Sequence, residues 1–163
     1  LARIESLLAD SVAQTRSLAH GLNPIQMTGS GLMSALRQLA DNTEALFGVR
    51  CTFRSTDSVA LADDAKVMHL YRIAQEAVHN AARHATATRI DLSLTASNGE
   101  VVLTVSDDGV GIHDRSSAGN GMGLRVMQYR ANQIGGSLII REAEGGGTVV
   151  TCRADLRKTT ETR

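Results

Sequence analysis

The tripeptide Ser97-Asn98-Gly99 constrains this chain more than any other stretch. It stands between two runs of alternating apolar residues, Arg89-Ile-Asp-Leu-Ser-Leu-Thr95 and Val101-Val-Leu-Thr-Val105. Asn-Gly between such runs is tight hairpin chemistry, so the runs are expected to be antiparallel neighbours with alternate side chains on one face. The second run continues through Ser106 into Asp107-Asp108-Gly109-Val110-Gly111-Ile112. A carboxylate at a strand end can accept a hydrogen bond from a buried polar ligand, and closely spaced glycines let the backbone turn and approach that ligand. Asp-Asp-Gly is also ordinary turn chemistry, so this stretch alone leaves turn and ligand site open. Of the two acids, Asp107 at the strand end is the candidate ligand residue. Asp108 is expected to be a turn residue facing water.

Composition narrows the class. The chain has 163 residues, 42% hydrophobic and 21% charged, which fits one globular domain with a proper core. Seventeen basic residues balance seventeen acidic ones. No global field therefore favours nucleic acid or an anionic membrane, and a phosphate ligand would have to be held by local geometry. Aromatics are 2% and Trp is absent, which argues against base-stacking platforms. Cys51 and Cys152 sit in strand-like runs without metal-ligand spacing, and are expected to be reduced, half-buried residues of a cytosolic protein. No apolar run is long enough to cross a bilayer, and the start at Leu1 suggests a fragment of something longer.

Leu1, Ile4, Leu8, Thr15, Leu18 and Leu22 make a heptad-like seam, interrupted by Ser11, on a helix that Gly21-Leu-Asn-Pro24 ends. The seam fits either a piece of a helical dimer stem or a helix packed on the domain's own core. A second helix is expected over Gly31 to Phe47, capped by Thr28 or Ser30, with Leu32, Leu36, Leu39, Ala40 and Leu46 facing inward and Gly48 as the stop. Val49 to Arg54 reads as a strand. Asp63 or Asp64 then caps a long helix to about Ala85, with Val67, Leu70, Tyr71, Ala74, Ala77, Val78 and Ala81 as its core stripe. Glu76, Asn80 and Arg83 fall at i, i+4 and i+7 and share a face. Together a carboxylate, an amide and a guanidinium can hold a hydrated cation and phosphates. A solvated polar helix face reads the same.

The segment from His113 to Gly119 is small and polar. Gly119-Asn-Gly-Met-Gly-Leu124 then opens a helix to about Ile134. Glycines before a helix N-terminus make an anion cradle from free N–H groups and the helix dipole. The GxGxG spacing follows a loop, not a strand, so a dinucleotide fingerprint is rejected. Two final strands, Ser137 to Arg141 and Thr148 to Arg153, are joined by Glu144-Gly-Gly-Gly147. Hairpin-joined strands interleaved with helices predict an α+β fold: a two-layer sandwich with a mixed, mostly antiparallel sheet, helices on one face, and an extra N-terminal helix.

Taken in order, these motifs resemble the ATP-binding catalytic domain of sensor histidine kinases, in the gyrase–Hsp90–histidine kinase–MutL ATPase superfamily with its Bergerat-type fold. More narrowly, they are similar to the nitrate-sensor (NarX) and DesK branch. The residues that carry the resemblance are Gln75-Glu-Ala-Val-His-Asn-Ala-Ala-Arg-His-Ala85, Asp107-Asp-Gly-Val-Gly111, Gly119-Asn-Gly-Met-Gly-Leu124 and Gly147-Thr-Val-Val150. It covers about Gly31 to Asp155 and implies a division into a stem fragment (1–24), a catalytic domain (25–157) and a disordered tail (158–163).

The resemblance implies that ATP and Mg²⁺ are bound. Asp107 would accept from the adenine amino group, with Gly109, Val110, Gly111 and Ile112 beside the base. Asn80 would ligate Mg²⁺, Arg83 would reach a phosphate and His84 would lie beside the nucleotide. Glu76 would be catalytic, orienting or activating the attacking group. Gly119, Gly121, Met122, Gly123 and Leu124 would form the phosphate-facing lid end, and Thr148 would support Asp107. The implied activity moves the γ-phosphoryl group to a histidine on a stem helix, for relay to a response-regulator aspartate. The implied partners are a receiver domain and, through the stem, a second copy of the parent. No nucleic acid and no membrane contact by this segment are expected. The implied location is cytoplasmic, with any inner-membrane anchor in the parent.

One departure matters. Such kinases place the accepting histidine on the first stem helix before an acidic residue. His20, His69, His79 and His113 lack that stem context. The accepting helix is therefore expected to lie outside this chain, and the chain alone is expected not to autophosphorylate. Two other readings stay open: an anti-sigma-factor-type serine kinase, and an ATP-binding signalling module without catalysis.

Overall fold

The computed structural model describes residues 31–55, 59, 61, 63–111 and 122–156. Along it run α1 (Gly31–Phe47), β1 (Arg50–Ser55), α2 (Asp64–His84), β2 (Arg89–Ser97), β3 (Glu100–Asp107), α3 (Met122–Gln133), β4 (Ser137–Glu142) and β5 (Thr148–Asp155). The strands form one five-stranded sheet in the order β1-β2-β3-β5-β4. β1 pairs parallel with β2, and every other pair is antiparallel. This is the mixed, mostly antiparallel α+β arrangement expected.

The hairpin at Asn98-Gly99 sets the register. Both residues have positive φ, 54° and 81°, which matches the twist of the flanking strands. Ser97 faces Glu100, so Leu92 pairs with Val105 and Leu94 with Leu103. All four are buried. Val150, Cys152 and Ala154 of β5 join the same cluster, as do Leu32, Leu36 and Ala40 of α1, Val67, Leu70, Ile73, Ala74 and Val78 of α2, and Met127 and Ala131 of α3. Each fully buried Leu or Ile contributes about 1.5–3 kcal/mol. The alternate positions Ser93, Thr95, Thr104, Ser106 and Thr151 are only half-buried. The helices therefore cover one sheet face, making the two-layer sandwich.

Asp63 caps α2, its Oδ1 accepting from the N–H groups of Ala65 (2.9 Å) and Lys66 (3.2 Å). The buried stripe of α2 includes two residues outside the expected set, Ile73 and Lys66. Lys66 is 2% exposed, and its Nζ donates to the carbonyl of Asp155 at 2.8 Å, tying the start of α2 to the end of β5. Tyr71 is only half-buried. The inward face of α1 corrects one expectation. Leu46 shares the face by spacing but sits in the last turn before Gly48 and is 58% exposed, whereas Thr43 is buried and bonds the Leu39 carbonyl. Cys51 and Cys152 are fully buried rather than half-buried. Burial pushes their thiols up to about 12 and about 11, so both are protonated near neutrality.

The stem segment 1–24, the candidate caps Thr28 and Ser30, the loop 113–119 and the tail 158–163 lie outside the described residues. No helix among the described residues is long and apolar enough to cross a membrane.

After α2 the chain reverses through Thr86, a β-branched residue at φ 52°. The left-handed region costs a non-glycine residue roughly 1–2 kcal/mol. Glycine removes that strain and returns part of the gain as backbone entropy. Thr86→Gly is therefore expected to raise stability by about 0.5–1 kcal/mol, read as a higher urea midpoint at unchanged slope. A lower midpoint would show that the Thr86 side chain holds the reversal.

Candidate functional site

The end of β3, the last turns of α2, the first turn of α3 and the start of β5 meet at one end of the sandwich. Asn80, Asp107, Leu124 and Thr148 line a single cleft there, with Ala77, Ala81, Ala85, Met127, Ile140 and Val150 completing its wall. The cleft measures about 330 Å³ counted to its open mouth.

Asp107 is 9% exposed. A carboxylate this buried requires hydrogen bonds. Its Oδ1 accepts the Gly109 N–H at 2.9 Å, and no other partner engages it among the described residues. The backbone around it admits no side chains. A Cβ on Gly109 would run into the Ala85 carbonyl, and one on Gly147, at φ 93°, into the Asp107 carbonyl. Val110 donates its N–H to the same Ala85 carbonyl at 2.8 Å. Val110 itself is 48% exposed. Gly111 lies against the Gly147 carbonyl and Glu142 Oε1.

Asp108 is exposed, as expected, but it does more than face water. It accepts from Thr88 N–H (2.8 Å), Thr88 Oγ1 (2.6 Å) and Arg89 N–H (2.9 Å), pinning the α2–β2 connection to the Asp-Gly turn.

On α2, Asn80 Nδ2 donates to Glu76 Oε1 at 3.3 Å. With Nδ2 committed, the amide oxygen is what Asn80 offers to a cation. A Cβ on Gly123 would collide with that same Glu76 oxygen and come 3.5 Å from Asn80 Nδ2. The first turn of α3 thus rests on the Glu76–Asn80 pair. Arg83 and His84 lie further along the helix. Arg83 Nη1 contacts His79 Nε2 at 3.4 Å, and the rings of His79 and His84 meet edge to face, centroids 6.2 Å apart. Neither Arg83 nor His84 lines the cleft, and Met122 is 82% exposed. Ile112, Gly119 and Gly121 lie outside the described residues.

Among the described residues, no group of three or more His, Cys, Asp or Glu side chains could hold a metal ion. A magnesium ion at Asn80 would therefore take its remaining oxygens from phosphates and water, which suits a cation that keeps several waters.

Several wall residues had no place among the sequence candidates. The signal was present as Ala77, Ala81 and Ala85, small residues four apart on the buried side of α2 that leave room beside the sheet. Ile140 and Val150 look like any strand residues, and only the strand order places them here.

Residues 65–158, more than half of the chain, match the family of histidine kinase-, DNA gyrase B- and HSP90-like ATPases. The chain belongs to this family. It is a histidine kinase-type ATPase domain, and its curated relatives are sensor kinases. It is 35% identical over 148 residues to the sensor histidine kinase MctS of Rhizobium johnstonii, covering 87% of this chain and 32% of that protein. It is 31% identical over 150 residues to the nitrate/nitrite sensor NarX of Escherichia coli K12, covering 92% and 25%. The chain thus spans a quarter to a third of the length of these relatives. The histidine kinase domain of the Erythrobacter litoralis EL346 blue-light-activated kinase has the same fold, with a TM-score of 0.59 at 24% identity over 77% of this chain and 61% of that one.

The bonds to Asp108 carry a pH signature in this ATPase domain. The Thr88 hydroxyl first, and the Arg89 N–H next, hold its carboxyl below the ordinary 3.8. A carboxylate lowered on folding stabilises the fold above its unfolded value, and that contribution fades as pH falls through the lower folded value. Asp108→Ala is expected to lower the urea midpoint at pH 7, with the difference from wild type shrinking below about pH 4. An equal midpoint at pH 7 would remove Asp108 from the fold's supports.

Proposed function

We propose that this domain binds Mg²⁺-ATP in the Asp107 cleft and delivers the γ-phosphoryl group to a histidine on a stem helix, for relay to a response-regulator aspartate. The supporting observation is Asp107 itself: a buried carboxylate at a strand end, one oxygen held by Gly109 N–H, lining a cleft whose opposite wall carries Asn80. A carboxylate accepts from the amino group of adenine and repels the carbonyl that guanine presents instead. Gly109, Val110, Gly111 and Ile112 would flank the base, and Thr148 would support Asp107 from β5. Asn80 would offer its amide oxygen to Mg²⁺, which neutralises phosphate charge. Glu76 would orient or activate the attacking group. Arg83 would reach a phosphate and His84 would lie beside the nucleotide, while Gly119, Gly121, Met122, Gly123 and Leu124 would form the phosphate-facing lid end. Positioning and charge neutralisation are the protein's share of phosphoryl transfer.

The chain has one His-Asp dipeptide, His113-Asp114. It follows the first glycine motif rather than lying on the stem-like segment, so the proposed acceptor remains a histidine outside this chain. Several curated relatives, MctS among them, are named as sensor histidine kinases, which supports histidine over serine as the acceptor. Their share of length leaves the receiver-domain partner, the dimeric stem and the cytoplasmic setting as parts of the same proposal.

Titration with a non-hydrolysable ATP analogue tests the site. Asp107→Asn is expected to weaken binding at least about tenfold, since it replaces an acceptor with a donor toward the amino group. Asn80→Ala is expected to abolish most of the Mg²⁺ dependence. Unchanged binding in both variants would overturn the assignment. Incubation of the chain alone with γ-labelled ATP is expected to leave every histidine unlabelled, His113 included. A labelled histidine would overturn the external acceptor.

A further inference from the structure

His79 stands one residue before Asn80 and has no part in the roles above. Its Nε2 lies 3.4 Å from Arg83 Nη1, one helical turn on. A guanidinium only donates, so Nε2 is the acceptor of this pair. The His79 ring is braced in turn by His84, whose ring meets it at 82°. His79 and Arg83 are both half-buried, on the side of α2 that carries Glu76 and Asn80. An arginine side chain loses much rotamer freedom when a ligand orders it, and a partner that fixes its plane reduces that loss. A guanidinium carries five N–H donors, of which the contact with His79 engages one.

We propose that His79 is a positioning residue for Arg83, holding its guanidinium in the orientation that receives a nucleotide phosphate. This rests on the nucleotide reading of the cleft. His79 touches no reacting atom and acts through Arg83 alone.

The test is a double-mutant cycle on the 163-residue chain, read as affinity for a non-hydrolysable ATP analogue with Mg²⁺. Arg83→Ala is expected to weaken binding about tenfold or more, and His79→Ala about three- to tenfold. His79→Ala in the Arg83→Ala background is expected to add nothing. His79→Gln keeps an acceptor one turn from Arg83 and is expected to bind within about twofold of wild type. Helix packing alone would not produce this pattern, since a packing loss persists without Arg83 and glutamine does not restore it. The positioning role is overturned if His79→Ala binds like wild type while Arg83→Ala is weakened. It is equally overturned if His79→Ala costs the same with and without Arg83. A wild-type chain that takes up no analogue overturns the nucleotide reading first, and this role with it.

Discussion

A carboxylate 9% exposed at the end of a central strand organises this end of the molecule. Burying Asp107 is costly without donors, and the nearest is the N–H of Gly109, two residues on. That bond folds the chain back so tightly that residue 109 meets the Ala85 carbonyl and residue 147 meets the Asp107 carbonyl, where only glycine fits. Asp108 faces the other way and takes three donors from Thr88 and Arg89. Two adjacent acids thereby gather the α2–β2 connection, the turn after β3 and the β4–β5 connection.

The cleft exists because α2 is lined with alanine where it passes this end of the sheet. Ala77, Ala81 and Ala85 wall the cleft, while further back Val67, Leu70 and Ile73 close the core completely. A leucine at any of the three alanines would fill space that a ligand needs and would add packing energy. Opposite them, Val150 arrives from β5, which pairs with β3, and Ile140 from β4, the edge strand beyond it.

Much of this was legible in the residues. The hairpin at Asn98-Gly99, the capped α2 and the glycine stop after α1 rest on local chemistry, and they form within one or two residues of expectation. So does the i, i+4 bond of Glu76 and Asn80. What was illegible depends on distant contacts. Lys66 is buried because the Asp155 carbonyl waits for it 89 positions away. Leu46 is exposed because the inward face of α1 runs out of cover in its last turn. Asp108 looked like a bystander because its partners, Thr88 and Arg89, lie nearly twenty positions back and come close only through the β2–β3 pairing.

The polar face of α2 must be ordered before a ligand arrives and yet yield to it. Its side chains satisfy the first demand in pairs: Arg72 with Gln75 at 2.8 Å, Asn80 with Glu76 at 3.3 Å, Arg83 with His79 at 3.4 Å. Pairs one turn apart on a helix contribute only about 0.2–0.5 kcal/mol each. Charge-assisted bonds to phosphate or carboxylate are roughly twice as strong as neutral ones. The longer pairs, at Asn80 and Arg83, sit on the turns beside the cleft, and the shortest sits a turn before it. Each of these pairs lies within one turn, so α2 itself orders the polar face that borders the cleft.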